Sequence, residues 1–269
     1  MAIPLEDKFN DIVGKAMRGL QFSDSQVAQK SGADAAAINA LRDGQWDEAT
    51  ARKVAPTLNL GAEALAASGN ESWAPKPSSI DGLAQFNTPY EDMTVNSYLV
   101  WDPKTGEAIA FDTGADCSGM LDLIAEKKLR VKYILLTHTH GDHIFDLDRL
   151  KEKTGAPAFV GEREPIEGAE PFAAGRSWAI GSLKIESRLT WGHSKGGITF
   201  VVTGLAQPVA VVGDAVFAGS MGGGGISYTD ALATNKKEII SLPDNTIVAP
   251  GHGPLTTVGE EKQHNPFFA

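Results

Sequence analysis

His138-Thr139-His140-Gly141-Asp142-His143 follows directly on the apolar run VKYILLT (131–137), and the fold is read outward from this junction. In extended chain, residues two apart point the same way, so His138 and His140 can grip one cation together. Gly141 permits a sharp turn, which sets Asp142 and His143 where a helix over 143–153 is expected to begin. Four metal-capable side chains thus fall within six residues and face two ways, one pair for each of two ions. Core packing gains nothing from such a cluster. Burying imidazoles together costs stability unless a metal or hydrogen bonds compensate.

Three further positions share this placement. His193 lies in TWGHSKGG after the strand-like SLKIESRLT, Asp214 ends the apolar PVAVVGD, and His252 lies in APGHGP after NTIVAP. Each stands at the C-terminal end of a β-prone run, in a glycine-containing turn, where rigid sheets commonly mount their sites. Five of the chain's six histidines fall in this one series, leaving only His264.

The ordered series resembles the metallo-β-lactamase superfamily, and in particular its glyoxalase II-like hydrolases. The likeness covers about residues 80–268. It includes VNSYLVWDPKTGEAIAFDTGAD as entry strands, with Asp112 in the FDTG turn, GDAVFAGS around the bridging aspartate, and the ending PGHGPLTTVGEEKQHNPFF. The resemblance implies an α/β fold, an αββα sandwich with the site along one edge of its two sheets. It also implies that His138, His140 and His193 bind a first metal, that Asp142, His143 and His252 bind a second, and that Asp214 bridges them. Asp142 would then orient the nucleophile and relay a proton. Two divalent ions are expected, zinc first, with iron and manganese suiting the same nitrogen and oxygen donors. The implied activity is hydrolysis of a thioester or related ester by a hydroxide held between the metals. A mononuclear iron sulfur dioxygenase, a lactonase or a phosphodiesterase would use the same scaffold. Asp112 has two readings, a partner that fixes a ligand or a simple Asx turn before Gly114.

The pattern departs from the family in places. Phe145-Asp146 replaces a Gly-Gly pair, and Gly222–Gly225 in SMGGGGISY stands where glyoxalase II-like sequences often carry an arginine. The resemblance does not extend to the helical domain that binds glutathione in longer members, which leaves the thioester's thiol part open. Lys195, Lys236, Lys237 and Tyr228 are candidates to meet an anionic substrate, although Lys236 and Lys237 also fit a solvated helix face. His264 is expected to cap or pack. Cys117 stands at a helix start that can favour its thiolate, against the plainer reading of a half-buried thiol with no role.

Composition bounds the rest. The chain has 269 residues, is 42% hydrophobic and 22% charged, and carries a net charge of −10, which opposes nucleic acid as a partner. One cysteine excludes an internal disulfide or a thiolate-rich metal site. No apolar run reaches the roughly 18–20 residues a membrane span needs. MAIPLEDKFNDIV has early acids and no apolar signal core, so a cytoplasmic protein acting on a small molecule is expected.

Residues 1–70 read as a small all-helical domain, 71–79 as a linker and 80–269 as the hydrolase domain. Helices are expected over 5–20, 25–30, 34–42, from Asp47 towards Leu58 with a break near Pro56, and over 61–67. The segment 25–44 resembles the helix-turn-helix of phage-repressor-like proteins. Yet residues up to Ser78 carry eight Lys and Arg against ten Asp and Glu, a net of −2, and the third helix, ADAAAINAL, offers alanines where bases and phosphates need polar groups. Homodimer formation or cover for the active-site cleft is the expected use of this domain. A ligand-sensing DNA-binding regulator is the contrasting class.

Overall fold

The computed structural model describes residues 3–76 and 78–269; Pro77 of the expected linker and residues 1–2 lie outside the described residues. Helices α1 (Phe9–Leu20), α2 (Asp24–Ser31), α3 (Ala35–Arg42), α4 (Glu48–Val54) and α5 (Ala62–Gly69) occupy the N-terminal region. Their ends follow local signals. Ser23, Asp34 and Asp47 cap α2, α3 and α4 through side-chain oxygens that accept backbone N–H groups. Pro56, which has no N–H to donate, sits in a 3-10 turn (Ala55–Leu58) that ends α4. The first helix begins at Phe9 rather than at residue 5, because Asp11 reaches back to accept from the Lys8 N–H at 3.0 Å and fixes the start there. These helices do not close their core alone. Ile12, Met17, Ile38 and Leu65 share one cluster with Met221, Tyr228 and Phe267 from the far end of the chain.

Beyond the helices stand two six-stranded sheets. The first runs in order β1 (Leu83–Tyr90), β2 (Met93–Trp101), β3 (Glu107–Phe111), β4 (Arg130–Leu135), β5 (Ala158–Gly161) and β6 (Glu170–Phe172). The second is built from β7 (Ser177–Ile180), β8 (Leu183–Leu189), β9 (Ile198–Thr203), β10 (Val209–Gly213), β11 (Ile247–Pro250) and β12 (Thr256–Thr257), ordered from β12 back to β7. Inward residues of both, among them Ile109, Phe111, Leu135, Phe200, Val211 and Ile247, form the central core. The outer faces are also buried, so β10 is apolar along its whole length. Helices α6 (Ser118–Lys127) and α8 (Leu147–Thr154) cover the first sheet. Helix α9 (Tyr228–Asn235) packs against the N-terminal helices, and helix α10 (Val258–His264) with the turn at Lys236–Ile240 covers the second sheet. This is the αββα layering implied by the sequence resemblance.

Two parallel strand pairs position the site. β3 and β4 run parallel with Phe111 beside Leu135, and β10 and β11 run parallel with Gly213 beside Pro250. Their C-terminal ends release Asp112, His138, Asp214 and His252 at one edge of the sandwich. Cross-links hold that edge together: Asn96 Nδ2 donates to the Pro250 carbonyl at 2.9 Å, and the Ile198 N–H to the Thr137 carbonyl at 2.8 Å. The single helix expected over 143–153 is broken. Gly141–Ile144 forms one short turn, α7, and α8 restarts at Leu147. Between them the Asp146 N–H donates to Thr113 Oγ1, and the Asp146 carboxylate accepts from the Cys117 N–H, so tertiary contacts pull the chain off the helical path.

Candidate metal centre

All seven residues of the sequence series meet at this edge, in two groups. His138, His140, His193 and Asp214 form one, and Asp142, His143 and His252 the other; within each group the ligand atoms lie within 4.8 Å of one another. In the first, His140 Nδ1 is 3.1 Å from both His138 Nε2 and His193 Nε2. In the second, Asp142 Oδ2 is 3.5 Å from His143 Nε2 and 3.4 Å from His252 Nε2. Asp214 joins them: Oδ2 is 3.3 Å from His193 and 3.4 Å from His252, and Oδ1 is 3.3 Å from His143.

The outward nitrogens explain why the inward ones converge. His143 Nδ1 donates to Asp112 Oδ2 at 2.8 Å, His252 Nδ1 to the Thr94 carbonyl at 2.6 Å and His193 Nδ1 to the Gly223 carbonyl at 3.1 Å. With Nδ1 engaged outward, each Nε2 points inward, where it can give its lone pair to a cation that displaces any proton on it, which is how metal-binding imidazoles are usually held. Buried His143 Nε2 and Asp214 Oδ1 have no hydrogen-bond partner among the described residues. Buried nitrogen and oxygen atoms that face one another with no hydrogen bond between them suit two cations and suit packing poorly.

The electrostatics agree. Burial alone would raise the Asp214 carboxyl, but His143 and His252 outweigh it and hold it well below the usual carboxylate range. Burial likewise opposes protonation of His143 and His252, and Asp214 chiefly reverses this, driving them up to about 10 and about 11. His138 is pushed down by burial and by its imidazole neighbours. Without a metal, the cluster therefore carries protons that a cation would displace.

Asp112 does more than close a turn. Its carboxylate accepts from the Thr137 N–H and Oγ1, each at 2.7 Å, and from His143, so it fixes the orientation of His143. Asp112→Asn removes the acceptor that His143 needs. Metal affinity on the His143 side is expected to weaken by about 10–100-fold with the fold intact, measured by competition with a chromophoric chelator; unchanged affinity would refute this role.

Two other expectations are corrected. Cys117 is fully buried, and its thiol is pushed up to about 12 by burial and by Asp146, so the helix start does not favour a thiolate. Tyr228 is buried in the cluster shared with the N-terminal helices and is unavailable to a substrate. Lys237 is exposed and pairs with Glu238 at 2.7 Å; Lys236 and Lys195 are exposed. His264 stacks on Trp73 at 4.8 Å.

The Thr94 carbonyl and two close approaches carry no readable signal in the sequence. A Cβ on Gly222 would stand 1.8 Å from the Asp214 carbonyl oxygen, and one on Gly251 2.1 Å from Asp214 Oδ1, so only glycine lets these loops press on the cluster.

A family model described as the Metallo-beta-lactamase superfamily matches residues 90–252. The probable metallo-hydrolase YqgX of Bacillus subtilis (strain 168) is 30% identical over 209 residues, covering 67% of this chain and 95% of its own length. Hydroxyacylglutathione hydrolase GloC of Haemophilus influenzae is 29% identical over 199 residues, covering 64% of this chain and 92% of its own. Among solved structures, the B3 metallo-beta-lactamase BLEG-1 is 29% identical with a TM-score of 0.59, covering 69% of this chain and 100% of that one. A protein crystallised in a di-iron-bound form is 27% identical with a TM-score of 0.55, covering 68% and 99%.

Proposed function

The chain belongs to the metallo-beta-lactamase superfamily, and we propose that it is a dinuclear metallohydrolase cleaving a thioester or related ester. One observation carries this reading: the buried Asp214 carboxylate lies within 3.3–3.9 Å of an imidazole nitrogen of His138, His143, His193 and His252, so both groups of ligands share it. A mononuclear centre would need only one group. His138, His140 and His193 would hold one ion, Asp142, His143 and His252 the other, and Asp214 both. When bound, such a pair supplies a hydroxide near neutral pH and stabilises the oxyanion that forms when a carbonyl is attacked.

The remaining chemistry belongs to side chains. Burial would raise Asp142, but its bond to His252 and the nearby His143 keep it below the usual range, so it is ionised at neutral pH. Its Oδ2 can take a proton from the nucleophile and return it to the leaving thiolate or alkoxide. His140 is exposed and His193 half-buried, which opens the first group to substrate. Around the centre, Gly222–Gly225 offers no cation, whereas Met93 at the start of β2, Phe145 in the loop between α7 and α8 and Ile226 in the loop after the glycine run expose apolar surface. The likeness to GloC supports a thioester, and these loops favour a less anionic one than a glutathione conjugate. Zinc is the expected metal, with the di-iron relative supporting iron as its rival. No helix among the described residues is long and apolar enough to cross a membrane.

The test is metal analysis followed by a panel of neutral and glutathione thioesters, a lactone, a phosphodiester and a β-lactam, with oxygen uptake followed on a persulfide. Close to two metals per chain and a kcat/KM for a thioester about tenfold or more above the phosphodiester are expected. Oxygen consumption with one iron per chain would overturn the proposal.

A further inference from the structure

We propose that the Asp7–Lys15 ion pair of the N-terminal segment is a positioning device for the metal centre, acting through the 217–223 loop; this rests on the metal-centre reading above. The two side chains are 9% and 14% exposed, so a charge pair is enclosed where α1 meets the sandwich. Lys15 Nζ pairs with Asp7 and also donates to the Met221 carbonyl at 2.9 Å. Asp7 Oδ2 accepts in turn from Ser220 Oγ at 2.6 Å. Lys15 Nζ lies 5.2 Å from the centroid of the Phe217 ring, whose plane is nearly perpendicular to that of the His252 ring at 5.6 Å. From the opposite side Asn265 Nδ2 donates to the Ser220 carbonyl at 2.6 Å, and the Gly219 N–H donates to Glu261 at 3.1 Å.

The loop held in this way runs straight into the site. Gly222 follows Met221, and its backbone is packed so closely that a Cβ would be 2.9 Å from His193 Nδ1; the Gly223 carbonyl then accepts the His193 Nδ1 proton. A shift at Ser220–Met221 therefore moves the acceptor that sets the tautomer and direction of His193. Stability alone does not call for charges here. Enclosing an ion pair costs desolvation that apolar neighbours such as Ile12 and Met17 would avoid. What the pair adds is direction, two hydrogen bonds aimed at consecutive residues of the loop. Supporting contacts of this kind decide whether a site is held to the tolerance its chemistry needs. Both partners lie outside residues 90–252, so the helical region contributes to the site from beyond the matched segment.

The experiment is a cobalt(II) titration against a competing chelator, using the full chain and reading both affinity and the visible absorption of the bound ion. The Lys15→Met/Asp7→Asn double variant, which removes both charges together, is expected to bind the ion on the His193 side about tenfold or more weakly, with an altered spectrum. Lys15→Arg keeps charge and donor and is expected to recover to within about threefold of the wild type. Ile38→Ala is the control. Ile38 lies on α3, which packs on α1, α2 and α4, so the variant should unfold at lower temperature with cobalt affinity unchanged. Should the double variant not fold, Ser220→Ala decides the matter, with a loss of about threefold or more expected. Wild-type affinity and spectrum in the double variant, or in Ser220→Ala where that variant does not fold, or an equal loss in Ile38→Ala, would overturn the proposal. A wild-type chain that binds no cobalt would instead sink the metal-centre reading itself.

Discussion

Asp214→Ala is expected to leave a folded protein that holds at most one metal per chain and hydrolyses its substrate about a thousandfold or more slowly. The magnitude follows from how many partners converge on one carboxylate. Oδ2 serves His138, His193 and His252, and Oδ1 serves His143, so no other side chain can take over the shared position. Asp142 approaches only the second group. The close fit of Gly222 and Gly251 against Asp214 blocks a neighbouring side chain from filling the gap. The fold should survive, because the central core of Phe111, Phe200 and Val211 does not depend on this side chain. Metal analysis and steady-state kinetics on the same preparation check the result together. Two metals per chain with full activity in the variant would remove the dinuclear reading.

The ligand series was legible in the sequence because it is mounted at and just beyond the ends of β-prone runs whose strand character is a local property. His138 follows VKYILL, Asp214 follows VAVVG and His252 follows IVAPG. The helical region was legible for a similar reason, since Ser23, Asp34 and Asp47 act on N–H groups two or three residues away. Strand β1 was not. LAQFNTPY is half-buried along nearly all its length and shows neither alternation nor a continuous apolar run. The break between α7 and α8 was hidden because it depends on Thr113 and Cys117, distant in sequence from Asp146. The same limit applies to Lys15, which reads as one more helical surface charge until Met221 is brought against it, 206 positions away. Helices α2 and α3 show the converse. Their local form is readable, but the surface that α1 lends to the rest of the chain is set by residues from 221 to 267.

Stripping the metals with a chelator is expected to abolish hydrolysis and to lower the unfolding midpoint by about 10 °C, reversibly, at a free metal concentration near a thousand times the dissociation constant. The size of this gap should depend on pH, and its sign follows from the histidines. In the metal-free protein His143 and His252 are raised to about 10 and about 11, against an ordinary value of 6.5. A raised folded value means that their contribution to metal-free stability is fully present below pH 6.5 and is lost as pH climbs through 10 and 11. Binding metal displaces those same protons. Apparent affinity should therefore strengthen with pH, by up to about tenfold per pH unit for each proton released. Between pH 7 and 9 the stripped protein loses stability from these two groups while tighter metal binding offsets that loss in the loaded protein, so the two melting curves diverge. Calorimetric unfolding of both forms across this range measures the divergence, with proton release on titration as an independent count. A constant gap, or metal binding that releases no protons, would mean that His143 and His252 do not face the cations.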